Sequence, residues 1–356
     1  MKKQKKIKAL LLSILLIATF TLSGCSSDNS KASKETTGGQ ITPTTGASTA
    51  DNNTGELPEI TVRAAFATGM TGVINQYAIA KGLYQKEGIK FDLVLTDNFV
   101  ASFASGDIDF ADTDPGLFAQ AAANGVPLKM VGNMWRSHGA YWIVAKNEIK
   151  SLEDLKGKVI GTASTSGGMR ITAMEVLKLA GLDPNKDVEL VANGFYKNAY
   201  ATLVSGEVDA TIIHQPFATI AEQEGTGHPI AKTWEFVTDY YTGTLAASDD
   251  YIANHAEELQ RVVTAYYKVH EEVKANLDDF YPWAAEFLGI DEATAKTAIE
   301  SEIELWTDEP VIEPARLQKT VDMLVEYGFM NEGVNIEDTY DNTFAEVAAK
   351  ELGLDK

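Results

Sequence analysis

The segment of this chain best suited to hold an anion is a run of hydroxyl side chains followed by two glycines. Ser164, Thr165 and Ser166 lie between a predicted strand and a predicted helix that begins at Gly168. Hydroxyls and backbone N–H groups at a helix N-terminus can bind a sulfonate, a carboxylate or a nitrate without a full positive charge. Serine and threonine at this position also serve as ordinary helix caps. We predict solute binding here, because the glycine pair lets a ligand approach the backbone closely.

Charged residues follow two other predicted strands. Asp112 and Thr113 come after one of them. A carboxylate there would repel a bare anion but would accept a hydrogen bond from an amine or a ring N–H, while Asp114 is suited to cap the next helix. Trp135 and Arg136 follow the next strand, and Arg136 could hold an anionic group bidentately or neutralise a nearby aspartate. These residues predict a solute with an anionic group at one end and a hydrogen-bond donor at the other.

Further candidates come from the loops that follow the first predicted strand and two strands of the second half. Phe195 or Tyr196 could stack on a planar solute, and each could equally anchor the start of a helix. The predicted solute contacts in these loops are Phe66, Thr68, Met70, Phe195, Tyr196, His214 and Gln215.

The sequence contains no convincing catalytic or metal-binding motif. It has five histidines and one cysteine, with no His-Glu-x-x-His pattern and no Gly-x-Ser-x-Gly elbow. We therefore predict no catalytic residue, no metal ligand and no cofactor, in a protein that is not an enzyme. If the chain were an enzyme, His138 and Asp112 would be its acid–base candidates.

A sequence motif that occurs twice indicates how these loops are positioned. Residues 105–109 read Ser-Gly-Asp-Ile-Asp, and residues 205–209 read Ser-Gly-Glu-Val-Asp. In each copy the glycine ends a predicted helix, a short apolar strand follows, and a proline opens the next helix. Ligands of open α/β sheets bind outside the carboxyl ends of the strands. The repeat predicts two similar lobes facing each other across a cleft, although a five-residue repeat can also arise by chance.

The alternation of strand-like and helix-like segments predicts an α/β fold of two lobes. Residues 60–145 together with 243–356 form the predicted first lobe, and residues 146–242 form the predicted second lobe. The chain would leave the first lobe near Ala145 and return near Thr242. The mostly helical segment that begins at about residue 253 would cover the first lobe.

The N-terminus resembles a bacterial lipoprotein signal. A lysine-rich start precedes an apolar stretch at residues 9–21, which is too short for an ordinary membrane-spanning helix. The following Leu-Ser-Gly-Cys resembles a lipobox, so we predict a signal peptide at residues 1–24 and a lipid on Cys25. Nineteen of the 34 residues from 26 to 59 are Ser, Thr, Gly or Asn, which predicts a flexible tether at residues 25–59.

The chain is strongly acidic, with a net charge of −21. Removal of residues 1–24, which carry five lysines and no acid, would leave a net charge of −26. A surface of this charge repels nucleic acid and anionic lipid. An anionic solute would therefore need local donors that overcome the overall field.

Three sequence segments resemble segments of the substrate-binding proteins of nitrate, sulfonate and taurine importers and of the related thiamine-pyrimidine binders. They are residues 101–111 (ASFASGDIDFA), 151–161 (SLEDLKGKVIG) and 203–210 (LVSGEVDA). The resemblance implies a two-lobed periplasmic-binding-protein fold with two chain crossovers, which traps solute by hinge closure. In the sulfonate and taurine binders the segment that matches residues 164–166 supplies hydroxyls to the anion. Family members frequently have an acidic residue where this chain has Gln215, so the contact at His214 and Gln215 does not carry over directly.

The resemblance also implies what the chain does and where. It predicts an extracytoplasmic solute-binding lipoprotein, anchored through Cys25 on the outer face of the cytoplasmic membrane and acting as a monomer. The expected partners are a small-molecule solute and an ABC permease, with no nucleic acid. A sulfonate or taurine-like solute is favoured, and a thiamine-pyrimidine precursor is the alternative. An enzyme or a sensory receptor on the same fold are the other functions that the sequence leaves open.

Overall fold

The computed structural model describes residues 58–96, 98–135, 138–307 and 309–355. The predicted signal peptide, Cys25, nearly all of the predicted tether and Arg136 lie outside these residues. Across the described ranges, no helix is both long enough and apolar enough to span a membrane.

Strands and helices alternate from Ile60 to Ser248, and helices follow. The strands are β1 (Ile60–Ala65), β2 (Ile89–Leu93), β3 (Phe110–Thr113), β4 (Leu128–Asn133), β5 (Trp142–Ala145), β6 (Val159–Gly161), β7 (Glu189–Val191), β8 (Ala210–Ile213), β9 (His228–Lys232) and β10 (Thr244–Ser248). The α-helices are α1 (Gly69–Ala80), α2 (Leu83–Lys86), α3 (Phe99–Ser105), α4 (Pro115–Ala123), α5 (Gly168–Leu179), α6 (Lys197–Ser205), α7 (Phe217–Glu224), α8 (Asp249–Asn254), α9 (Ala256–Ala275), α10 (Leu277–Leu288), α11 (Glu292–Glu300), α12 (Pro314–Glu326) and α13 (Thr343–Leu352).

The first sheet contains five strands in the order β2-β1-β3-β10-β4. β1 pairs in parallel with β2 and β3, whereas β10 runs antiparallel between β3 and β4. β10 thus fills a place inside the sheet that the earlier strands leave open.

The second sheet has the same plan, in the order β7-β6-β8-β5-β9. β6 pairs in parallel with β7 and β8, and the antiparallel strand β5 again takes the fourth place. Gly106 and Gly206 are the glycines of the repeated sequence motif. They end α3 and α6 in the left-handed conformation, with φ of 74° and 82°. The predicted α/β fold is confirmed, with the chain leaving the first sheet after β4 and returning to it at β10.

Two details of the second sheet differ from the sequence prediction. β5 was expected in the first lobe, which was predicted to end at Ala145, but it is hydrogen-bonded to β8 and β9. The chain therefore changes sheets before Trp142. β9 was not predicted because Pro229 interrupts the strand-like pattern, and a proline is tolerated here because β9 is the edge strand.

The C-terminal helices pack mainly against the first sheet. Val263 of α9, Phe280 of α10 and Phe344 of α13 join one buried cluster with Val62 of β1. α12 packs on α4, while α11 packs on α7, which follows the second sheet's β8. The helical tail thus covers the first sheet, as its sequence predicts, and also contacts an element of the second.

Candidate functional site

A cavity of about 780 Å³ lies where the loops of the two sheets meet. Phe99, Thr242, Leu324 and Phe329 contribute to its lining, and the rest comes from the segments that follow β1, β3 and β4 of the first sheet and β6, β7 and β8 of the second. Every one of these segments follows the carboxyl end of its strand, which is where ligands bind in open α/β sheets. A volume of this size is typical of a small-molecule site.

The predicted solute contacts divide into two groups. Those that line the cavity are Thr68, Thr113, Ser164, Ser166, Phe195, Tyr196 and His214. Those that do not line it are Phe66, Met70, Asp112, Trp135, Thr165 and Gln215, and Arg136 lies outside the described residues.

Phe66 and Met70 lie in the core beneath the loop that follows β1. Phe66 packs edge-on against Phe91 and Phe110, with ring centroids 5.0 and 6.2 Å apart. Met70 is 1% exposed in the first turn of α1. The apolar pattern of the sequence predicts a helix over 74–86, but α1 begins earlier, at Gly69. The helix therefore turns Met70 away from the cavity and leaves Thr68 at its wall.

Asp112 is fully buried and holds the same loop from behind. Its two carboxylate oxygens accept hydrogen bonds from the backbone N–H of Ala67 and from the Asn75 side chain, each 2.7 Å long. Burial raises the pKa of Asp112 to about 7, and these two hydrogen bonds limit the rise. Asp112 thus supports the position of the cavity wall and does not form part of it.

Three more of the predicted solute contacts do not line the cavity. They are Trp135, Gln215 and Thr165. Trp135 is 2% exposed and packs edge-on against Trp306, with ring centroids 4.8 Å apart. Gln215 is buried and donates a hydrogen bond of 2.9 Å to Ser301, which ties the segment after β8 to the C-terminal helices. Thr165 is exposed at the surface of its loop.

Aromatic side chains form one wall of the cavity. The rings of Tyr196 and His214 stack 5.3 Å apart at 22°, and Tyr141 meets His214 edge-on at 5.0 Å. The Tyr196 hydroxyl donates a hydrogen bond of 2.8 Å to the carbonyl of Thr68, which joins the loops of the two sheets. Tyr141 was not predicted, because its position directly before β5 made it resemble a strand residue.

Tyr196 has a backbone conformation that few residues other than glycine adopt. Its φ is 50° and its ψ is −118°, directly before the first residue of α6. Such a conformation costs free energy and is most common at functional sites. Here it directs the ring toward the loop of the opposite sheet, so the strain is associated with the contact between the two loops.

Asn193 holds the second-sheet loops together and was not identified from the sequence. Its side-chain oxygen accepts a hydrogen bond of 3.0 Å from the backbone N–H of Ala163. Its side-chain nitrogen donates to the hydroxyls of Thr202 and Thr211, at 2.9 and 3.0 Å. The loop that follows β6 is therefore fixed to α6 and β8. A polar residue after a short strand was the only signal available for this role.

The loop at residues 164–168 uses part of its hydrogen-bonding capacity internally. The Ser164 hydroxyl donates to the carbonyl of Ser166. Neither serine side chain caps α5, whose N-cap residue is Gly167. Ser166 is exposed and lines the cavity, so its hydroxyl and the N-terminus of α5 are the donors this loop presents there.

Asp114 lines the cavity opposite this loop. Its carboxylate accepts a hydrogen bond of 3.0 Å from the backbone N–H of Leu117, which confirms its predicted role as the N-cap of α4. Burial raises the pKa of Asp114 to about 6, and the N–H groups of Leu117, Gly116 and Gly168 together with the Tyr240 hydroxyl limit that rise. Gly168 is the first residue of α5, so Asp114, which follows β3 of the first sheet, interacts with the helix that follows β6 of the second.

The described residues offer no grouping of three or more His, Cys, Asp or Glu side chains able to hold a metal ion. The lining that the structure describes includes no lysine or arginine. Its polar groups are one carboxylate, hydroxyls, the amides of Gln120 and Asn198, the imidazole of His214 and backbone N–H groups, beside aromatic faces.

Comparison with known proteins identifies relatives that are described as binding proteins. YtlA of Bacillus subtilis, named as a candidate binding protein, is 24% identical over 204 residues. These residues cover 55% of this chain and 61% of YtlA, so the match spans less than two thirds of the length of YtlA. A candidate binding protein of Brucella abortus is 26% identical over 309 residues, which cover 79% of this chain and 90% of that protein.

Solved structures share the fold at low sequence identity. The alkanesulfonate-binding protein SsuA from Xanthomonas axonopodis pv. citri, bound to MOPS, superimposes with a TM-score of 0.66 at 17% identity, covering 81% of this chain and 100% of SsuA. The desulfurization enzyme DszB superimposes with a TM-score of 0.62 at 14% identity, covering 82% of this chain and 99% of DszB. The shared architecture is the periplasmic-binding-protein fold, and it occurs in both binding proteins and enzymes.

The family model that matches the chain is described as NMT1/THI5 like and spans residues 69–278. This range includes most segments that line the cavity, from Thr71 after β1 to His214 after β8. Because the match covers more than half of the chain, the protein belongs to the NMT1/THI5-like family.

Proposed function

We propose that this protein is the solute-binding component of an ABC importer, which captures a small organic solute between its two sheets. The observation that carries the proposal is the cavity of about 780 Å³, built from the carboxyl ends of strands in both sheets. The contact between Tyr196 and Thr68 joins the two walls over this space. Rotation of one sheet and its helices against the other would open and close it.

Two classes of solute have support within the cavity. A sulfonate or taurine-like solute is favoured by the hydroxyl of Ser166 and by the N-terminus of α5. A planar thiamine-pyrimidine precursor is favoured by the aromatic wall of Tyr141, Tyr196 and His214. Both classes fit a site that is concave, largely apolar and equipped with a few polar groups.

Binding without turnover agrees with the positions of the acid–base candidates. Asp112 is buried behind the loop that follows β1, and His138 does not line the cavity. Burial and the nearby Arg316 lower the pKa of His138 to about 4. Neither residue is placed to exchange a proton with a molecule in the cavity. Turnover of any bound solute by the purified protein would contradict this proposal.

A panel of small solutes tests the proposed function directly. A solute that binds only the folded protein at a hundredfold excess over its Kd should stabilise it by about 2.7 kcal/mol, which thermal denaturation detects. The panel should contain sulfonates, taurine, nitrate, aminopyrimidines and aromatic amines. Small-angle scattering with the best solute should show a smaller radius of gyration, because closure brings the mass of the two lobes closer to the centre of the molecule. Failure of every solute to raise the melting temperature would contradict the proposal.

We further propose that the protein works outside the cytoplasmic membrane, anchored by a lipid on Cys25. The lysine-rich start and the Leu-Ser-Gly-Cys sequence support this anchor. Cys25→Ser should move the protein from the membrane fraction to the soluble fraction while the melting temperature stays the same. Ser26→Ala is the matched control, which should remain with the membrane. Equal membrane retention of Cys25→Ser and wild type would contradict lipid attachment.

A further inference from the structure

We infer that Asp114 determines solute specificity: its carboxylate occupies the N-terminus of α5, so the cavity selects solutes that present an amine or ring N–H and rejects sulfonates and other anions. This inference rests on the proposed function and names the class of solute. It chooses between the two classes that the cavity supports.

The approach of Asp114 to α5 is close. A Cβ atom at Gly168 would lie 2.6 Å from an Asp114 carboxylate oxygen and 3.1 Å from the Tyr141 hydroxyl. No side chain other than glycine's hydrogen leaves room for this arrangement. The Gly168 backbone N–H interacts favourably with the same carboxylate. The first residue of α5 is thus enclosed by a carboxylate from the opposite sheet and by a tyrosine hydroxyl.

The N-terminus of α5 therefore already has an anion. α5 is 12 residues long, and the free N–H groups at such a terminus attract one negative charge. The predicted sulfonate would have to share this place with Asp114, and two like charges in a partly desolvated site repel each other strongly. No lysine or arginine in the described lining offsets that repulsion. The chain's net charge of −21 adds to it.

The same carboxylate can still accept a hydrogen bond from a solute. An ionised carboxylate has about four acceptor positions. The N–H of Leu117 donates a hydrogen bond of 3.0 Å to one of its oxygens, and the N–H groups of Gly116 and Gly168 and the Tyr240 hydroxyl interact with it favourably as well. Tyr141 and Tyr240 are the titratable side chains that meet Asp114 at Gly168. Tyr141 meets the same glycine as the carboxylate, and Tyr196 lines the same cavity, so aromatic rings are available to stabilise a planar or cationic group. An amine or ring N–H on a planar solute satisfies both features.

The substitution that tests this is Asp114→Asn. Asparagine keeps an oxygen that can cap α4, so the variant removes the charge and preserves the fold. Asp291→Asn is the matched control, because Asp291 caps α11 through Thr294 and does not line the cavity. Calorimetry should use three probes: benzylamine, an aminopyrimidine and hexanesulfonate.

We expect wild type to bind benzylamine or the aminopyrimidine more tightly than hexanesulfonate. Asp114→Asn should raise the Kd of those two probes about tenfold to a hundredfold, the range for a hydrogen bond to a charged group. It should lower the Kd of hexanesulfonate, and Asp291→Asn should change none of the three. In wild type, benzylamine affinity should fall as the pH drops through about 6, where Asp114 becomes protonated. The variant should lack this dependence.

Tighter binding of hexanesulfonate than of both donors by wild type would overturn the inference, and so would unchanged donor affinity in Asp114→Asn. Either result would leave the proposed function standing, because a solute would still be bound. If no probe binds wild type or variant, the inference falls, and the wider solute panel decides whether the proposed function falls with it.

Discussion

Replacing Trp135 with alanine is expected to lower the free energy of unfolding by about 3–5 kcal/mol, the usual cost of removing a large aromatic side chain from a core. Trp135 is 2% exposed, packs on Trp306 at 4.8 Å and lies near His270, with ring centroids 5.9 Å apart. The carbonyl of Trp135 also accepts a hydrogen bond of 2.8 Å from the backbone N–H of Thr307. The lost packing is therefore between the segment that follows β4 and the C-terminal part of the chain.

Urea denaturation measures this loss, and solute binding measured below the unfolding transition separates it from recognition. Trp135→Phe keeps an aromatic ring and should cost clearly less than the alanine variant. Because the side chain does not line the cavity, the Kd of folded Trp135→Ala should match that of wild type. A large rise in Kd with little loss of stability would instead restore the original prediction that Trp135 contacts the solute.

Replacing Tyr196 with alanine is expected to raise the Kd of the captured solute about tenfold to a hundredfold. The substitution removes the ring that stacks on His214 and the hydroxyl that donates to Thr68. The first loss opens the aromatic wall, and the second removes a hydrogen bond between the loops of the two sheets. Calorimetry with the best solute of the panel measures the combined effect.

Two further variants separate the contribution of the Tyr196 ring from that of its hydroxyl. Tyr196→Phe keeps the ring and loses only the hydroxyl, so its Kd should rise by about threefold to tenfold, the value of one neutral hydrogen bond. Tyr200→Phe is the control, because the Tyr200 hydroxyl bonds to Glu224 and Thr226 away from the cavity. An unchanged Kd in Tyr196→Ala would show that neither the ring nor the contact between loops takes part in capture.

The sequence predicted the loops of the site better than the side chains within them. Ser166, Tyr196 and His214 all follow predicted strands, and the structure places all three in the lining. Strand ends can be read from apolar runs and glycines. That rule depends on the order of elements along the chain and needs no knowledge of packing.

The direction of a side chain depends on where a strand or helix ends, and a shift of one or two residues reverses it. The apolar run at residues 108–111 predicts a strand that stops at Ala111. β3 continues to Thr113, so Asp112 lies within the sheet and is covered by α1. Asp114, two residues later, reaches the cavity. The early start of α1 likewise buries Met70. Local sequence does not fix such boundaries, because packing against distant segments decides them.

The position of β10 has a consequence for the growing chain. Thr244 to Ala247 pair with residues of both β3 and β4, so these two strands have no bonded neighbour between them until β10 has been made. All five strands of the second sheet come from one unbroken stretch, His228–Lys232 being the last to appear. During synthesis from the N-terminus, the second sheet can thus be completed before the first, although its strands begin later in the chain. The first sheet can form completely only after β10 and the C-terminal helices that cover it have been made. Long-range pairing of this kind makes folding slow.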